Sequence, residues 1–203
     1  MGLKHQAAAA RKWRSAARQV AQHFPAHLPP LLFLSDPARI QNPVDVVHAL
    51  PAAVGVIYRH FGASDRVSVA HQLAAACAEH ERCFLIAADP LLARETGAHG
   101  VHWPEAIAHK ASKWHGQFAL QTASAHSPAA IRRAYKIGLD AALVSTVFAS
   151  NSASAAAPLG VARFKTWTRA APLPVYALGG VNADNAGSVA NFAGLAAIEG
   201  LLP

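Results

Sequence analysis

The chain has 203 residues, of which 53% are hydrophobic and 14% charged, and 18 Lys and Arg against 11 Asp and Glu give a formal net charge of +7. So apolar and sparsely charged a chain buries a core and is not disordered, and its 13 glycines keep no three-residue period, which excludes collagen. Cys77 and Cys83 are too few for a disulfide scaffold and read as free thiols of a reducing, cytoplasmic setting, while no run reaches the roughly 18 apolar residues of a membrane span.

Residues 1–30 read as a basic helical extension. Lys4, Arg11, Lys12, Arg14 and Arg18 precede the first acid, Asp36, so the rest of the chain balances to +2. Such a start fits a transit peptide, a nucleic-acid arm or a membrane-surface helix. The spacing favours an ordinary amphipathic helix: Trp13, Ala17, Val20 and Phe24 line one face that can pack on the domain. With the remainder nearly neutral, nucleic acid is not the expected partner.

From Leu31 on, β-rich runs alternate with Ala-rich helical stretches. The runs are Leu31–Ser35, Val54–His60, Cys83–Ala88, Gly100–Trp103, Phe118–Ala123, Ala141–Phe148, Val175–Val181 and Leu195–Leu201. Helices are expected over Val44–Leu50, Ser68–His80, Leu91–Thr96, Glu105–Trp114, Pro128–Ile137, Val161–Ala170 and Ala183–Ala193. Asn42 before Pro43 and Ser127 before Pro128 read as caps with proline in the first turn, Asn182 or Asp184 as the cap of the last helix, and Gly97, Gly138 and Gly194 as left-handed helix stops. Eight continuous apolar runs alternating with helices imply a covered parallel sheet, and residues 31–203 are expected to close as a small α/β (β/α)8 TIM barrel behind the extra N-terminal helix. An open doubly wound sheet competes, but Leu31–Pro37 lacks its glycine fingerprint. Ala149–Pro158 is of low complexity and reads as a mobile loop.

In such a barrel the C-terminal strand ends share one mouth. They offer Ser35 and Asp36, Arg59 and His60, Asp89, His102 and Glu105, Ser124 and His126, Ser145 and Thr146, Gly179, Gly180 and Asn182, and Glu199. Paired glycines before a helix start suit an anion held by backbone N–H groups, though a plain tight turn explains them equally well. His60, His102 and His126 raise the thought of zinc, but no tight ligand spacing supports it and no metal site is assigned. Trp103 follows His102 and either stacks on a flat heterocycle or fills the pocket; Trp114 and Trp167 are expected on outer helices, and both cysteines in packing roles.

Six segments in order, Leu32–Asp36 (LFLSD), Tyr58-Arg59, Gly100–His102 (GVH), Ser124–Ser127 (SAHS), Ser145–Gly160 and Pro174–Asn185 (PVYALGGVNADN), resemble the thiamine phosphate synthase and thiazole tautomerase superfamily of small barrels. The resemblance implies the joining of hydroxymethylpyrimidine diphosphate to thiazole phosphate with loss of pyrophosphate. It places Ser124 and His126 in the catalytic role toward the pyrimidine and Arg59, His102, Ser145, Gly179, Gly180 and Asn182 on substrate and phosphate, with Mg2+ if the synthase is active. Five family positions have changed. The lysine after strand two is Phe61, the Asn-Asp pair after strand three falls on Ala87 and Ala88 with Asp89 nearby, the lysine after strand six falls on Ala153, and the last phosphate-loop serine falls on Glu199. The tautomerase histidine falls on Thr146. The alternative is a catalytically lapsed barrel, related to the thiazole tautomerase branch, that keeps a small ligand or phosphate. Either way the expected partner is a phosphorylated heterocycle, and a homo-oligomer fits both.

Overall fold

The computed structural model describes residues 3–150, 152 and 157–202. Its eight strands are β1 (Leu31–Leu34), β2 (Val54–Tyr58), β3 (Phe84–Ala87), β4 (Gly100–Trp103), β5 (Leu120–Ala125), β6 (Ala141–Val144), β7 (Val175–Ala177) and β8 (Gly194–Ala197). All pair in parallel with their sequence neighbours, and β8 closes on β1. The runs are apolar without alternation because both faces are covered. Leu32, Leu34, Ile57, Leu85, Leu143 and Tyr176 pack inside the barrel, whereas Leu31, Phe33, Val56 and Ile86 join the larger core beneath the helices.

The outer layer comprises α1 (Leu3–Ala21), α2 (Pro43–Ala49), α3 (Arg66–Glu79), α4 (Pro90–Glu95), α5 (Pro128–Lys136) and α6 (Gly160–Arg169). Asn42, Asp89 and Ser127 accept N–H groups of the first turns of α2, α4 and α5, each ahead of a proline. Gly97 and Gly138 stop helices at φ +67° and +75°.

Three expectations need correction. Gly194 is no cap but the first residue of β8, where a Cβ would lie 2.4 Å from Tyr176 Cδ1. Ala183–Ala193 forms only a 3-10 turn at Ala186–Ser188. There Asn182 Oδ1 takes the N–H groups of Asp184 and Asn185, and Asn185 Oδ1 takes that of Asn182, so side chains satisfy the backbone in place of a helix. Glu105–Trp114 is helical, as expected, but wound as 3-10.

The basic N-terminal helix docks on the barrel. Trp13, Ala16 and Val20 are buried, the Trp13 indole donates to Gly200 O at 2.9 Å, and Lys12 pairs with Asp184. α1 thereby covers β8, after which only the 3-10 turn Glu199–Leu201 follows among the described residues. The segment after it seals the N-terminal end of the barrel: Phe24 meets the Tyr176 ring edge-on at 4.9 Å, and the Tyr176 hydroxyl donates to Pro29 O at 2.7 Å. No helix is long and apolar enough to cross a membrane among the described residues.

Candidate functional site

At the opposite end, the C-terminal strand ends enclose a cavity of about 510 Å3. Arg59 from β2, His102 from β4, Ser124 and His126 from β5, Ser145 from β6 and Gly179, Gly180 and Asn182 after β7 all line it. The fold thus gathers residues spread over 124 positions onto one rim, because parallel strands end on the same side.

Of the polar side chains that line the cavity, His102 is the most deeply buried. Its Nδ1 lies 2.9 Å from Thr122 Oγ1 and its Nε2 lies 3.0 Å from Ser124 Oγ. Burial, reinforced by the nearby Arg59 charge, pushes its pKa down to about 3. The ring is therefore neutral at pH 7, donating to one hydroxyl and accepting from the other. The pair has the spacing of a nucleophile and its base, but an imidazole so reluctant to take a proton is a poor base, and Thr122 brings no charge to steady an imidazolium. The arrangement instead fixes the Ser124 hydroxyl toward the cavity as a hydrogen-bonding group.

The cations of the mouth are already partnered. Arg59 Nη2 lies 3.9 Å and Arg39 Nε 3.7 Å from Asp36 Oδ2, and Arg39 Nη1 lies 3.4 Å from Glu199 Oε2. Burial lowers the Arg59 pKa and Asp36 opposes that shift, so the guanidinium remains charged. Ser35 Oγ accepts the Arg59 backbone N–H at 2.9 Å and sets where the arginine leaves β2. Glu199 lines the cavity. Arg39 escaped the sequence reading because it lies in the β1–α2 connection beyond the strand end; its i+3 spacing from Asp36 was the available signal.

Gly179 and Gly180 have φ of +89° and +66°. A Cβ on Gly180 would sit 2.2 Å from Ala149 O, and one on Gly179 would sit 2.8 Å from Thr146 Cγ2. Close approach of the β6 and β7 loops, bonded through Val147 N–H to Leu178 O and Phe148 N–H to Gly179 O, accounts for both glycines. The helix start expected behind them is absent, so any anion there meets the loop alone.

His126 lies on the exposed rim, where its Nδ1 is 2.8 Å from Glu105 Oε2, and Arg133 holds the other carboxylate oxygen at 2.7 Å. His60 is buried beside the Tyr58 ring and is not part of the cavity wall, so the three mouth histidines do not converge. Trp103 points outward from β4, 1% exposed, with its indole donating to Gln121 Oε1 at 3.0 Å; it stacks on nothing in the mouth. Trp114 and Trp167 pack on the core, and burial pushes both cysteine thiols up to about 12, as packing roles require.

The donor set does not fit the family's divalent cation. Ala87 and Ala88 offer no side-chain ligand, Asp89 Oδ1 accepts the Leu92 N–H as the cap of α4, and its Oδ2 faces Arg66 Nε at 3.9 Å. Arg66 ties the neighbouring strand ends, donating to His60 O and Ala87 O, and lies 5.4 Å from the centre of the Phe61 ring. Ala153 and part of Ala149–Pro158 lie outside the described residues.

Among solved structures the chain resembles thiamine phosphate pyrophosphorylase from Pyrococcus furiosus, with a TM-score of 0.70, 20% identity, and 83% of this chain and 84% of that one covered. It also resembles the YdjI aldolase from Escherichia coli K12 (TM-score 0.61, 12% identity, 91% and 78% covered) and FabK from Thermotoga maritima (TM-score 0.58, 15% identity, 83% and 57% covered). At these identities the likeness shows the fold alone. No curated protein matches the chain. A family model described as thiamine monophosphate synthase matches residues 31–201, nearly the whole barrel, and the chain therefore belongs to the thiamine monophosphate synthase family.

Proposed function

We propose that the mouth binds a phosphorylated heterocycle of the thiamine-precursor class and joins hydroxymethylpyrimidine diphosphate to thiazole phosphate only slowly. The observation that carries this reading is the convergence of Arg59, the His102-held Ser124 and the Gly179-Gly180 loop on one cavity in a barrel of this family. In the proposed complex Ser124 and His126 face the pyrimidine, and Arg59, Ser145, Asn182 and the glycine loop face phosphate. Coupling breaks the bond to the diphosphate and forms one to the thiazole nitrogen, so negative charge grows on the leaving group. Against it this chain sets two half-buried arginines, Arg59 and Arg39, already shared with Asp36 and Glu199, and among the described residues no donor set for Mg2+. Each missing transition-state contact costs about 3 kcal/mol, or about 100-fold in rate.

The pairing of Arg39 with Glu199 favours a second reading, a lapsed barrel that only binds. Incubating the full chain with both precursors and Mg2+, and following thiamine phosphate by chromatography, separates the two. Slow turnover abolished by Arg59→Ala supports the first; thiazole phosphate binding without turnover supports the second. Turnover at ordinary enzymatic rates overturns the rate claim, and absence of binding by either precursor overturns both readings.

A further inference from the structure

At the N-terminal end of the barrel, away from the mouth, His48 Nδ1 of α2 lies 3.1 Å from Nε2 of His80, the residue that caps the C-terminus of α3. Their rings are 5.2 Å apart at 73°. Glu79 brings a carboxylate to the same place, and one ligand atom from each of the three residues lies within 4.8 Å of the others. Among the described residues no other His, Cys, Asp or Glu trio meets this condition. We propose that His48, Glu79 and His80 form a zinc site that clips α2 to α3.

Zinc bonds of about 2.0–2.1 Å in a tetrahedron set neighbouring ligand atoms roughly 3.3 Å apart, so the two nitrogens already stand near their final spacing. Only the exposed Glu79 carboxylate must close in. Two imidazoles and a carboxylate suit Zn2+ and its transition-metal neighbours, whereas Mg2+ and Ca2+ prefer all-oxygen shells. The C-terminal ends of α2 and α3 converge here, and their carbonyl ends favour a cation. The backbone beneath is fixed by the buried Arg82, whose guanidinium donates to Leu50 O and Pro51 O at 2.7 and 2.6 Å, so its charge is already taken up by carbonyls. The remaining coordination positions face water, since all three residues are exposed.

The test is calorimetric titration of the untagged full chain with Zn2+, with Co2+ absorption as a second readout and Mg2+ as control. One zinc binds with a micromolar dissociation constant, Co2+ gives the visible bands of a low-coordinate site, and Mg2+ gives neither. Zinc at about 100 times that constant raises the melting temperature by about 6 °C. His48→Ala and His80→Ala each weaken binding at least about tenfold, as does Glu79→Gln should an alanine variant misfold, while His71→Ala, at the separate His71–Glu95 pair, leaves it unchanged. Absence of zinc binding, or binding that these variants leave unmoved, overturns the proposal. Neither result depends on what the mouth binds.

Discussion

Glu199 and Arg39 lie 160 positions apart in sequence and meet across the barrel mouth, Oε2 to Nη1 at 3.4 Å. The carboxylate stands where a phosphate would seek the same guanidinium. Its side chain is 59% exposed, so the pair itself is worth little to stability, on the order of 0–1 kcal/mol. Its effect on an incoming anion is larger, because the site's net charge changes by one. Glu199→Ser should strengthen binding of inorganic phosphate or thiazole phosphate about 3- to 10-fold with little change in melting temperature. Calorimetry at low and moderate salt checks this; equal affinity in both proteins would place the ligand away from Arg39.

His102 should make the protein acid-labile in a defined window. Its folded pKa is about 3 against an ordinary value of 6.5, so the unfolded chain takes the proton first. The stabilisation is complete above pH 6.5 and is lost progressively as pH falls toward 3. By pH 4 the loss from this group is about 3 kcal/mol. His102→Gln keeps a donor and an acceptor but cannot charge, and its unfolding free energy should fall less between pH 7 and pH 4 than that of the native chain. An NMR titration showing the His102 ring protonating near pH 6.5 in the folded protein would sink the idea.

Gly180→Ala should be costly. The residue sits at φ +66°, and the new methyl would lie 2.2 Å from Ala149 O and 2.8 Å from Phe148 O, both backbone atoms that cannot swing aside. Strain and the forced parting of the β6 and β7 loops cost about 2–4 kcal/mol, or roughly 5–10 °C in melting temperature for a chain of this size. Gly187→Ala is the matched control, since nothing lies within 4 Å of its added carbon and its φ is not positive. If the two variants melt together, the loop contact is not what fixes Gly180.

The strand ends were legible because a parallel barrel turns chain order into rim position: Arg59, Ser124 and Asn182 could be placed together from strand endings alone. Direction across a strand was harder to read. Neighbours His102 and Trp103 face opposite sides of β4, the first into the cavity and the second outward to Gln121, and a four-residue strand buried on both faces carries no polar alternation to say which. Partners from remote segments were hidden as well. Nothing local to Glu199 announces Arg39, and nothing in the polar stretch Asn182–Asn185 (NADN) announces that Asn182 and Asn185 would bond each other's backbone and forestall a helix.

Trp13 tests whether the basic first helix belongs to the barrel. A transit peptide, or an arm kept for nucleic acid, would leave the fold indifferent to its side chains. Here Trp13 is 3% exposed and its indole N–H reaches Gly200 O at 2.9 Å, tying α1 to the turn after β8. Trp13→Ala removes a buried aromatic and should cost about 3–5 kcal/mol. Trp13→Phe keeps most of the apolar contact but leaves the Gly200 carbonyl without this donor, and should cost about 1–2 kcal/mol. Urea unfolding followed by circular dichroism orders the three proteins, and the ordering matters more than either value: native above Phe above Ala means that both packing and the hydrogen bond hold α1 in place. Were Trp13→Ala as stable as the native chain, α1 would be a detachable segment, and β8 would need some other cover.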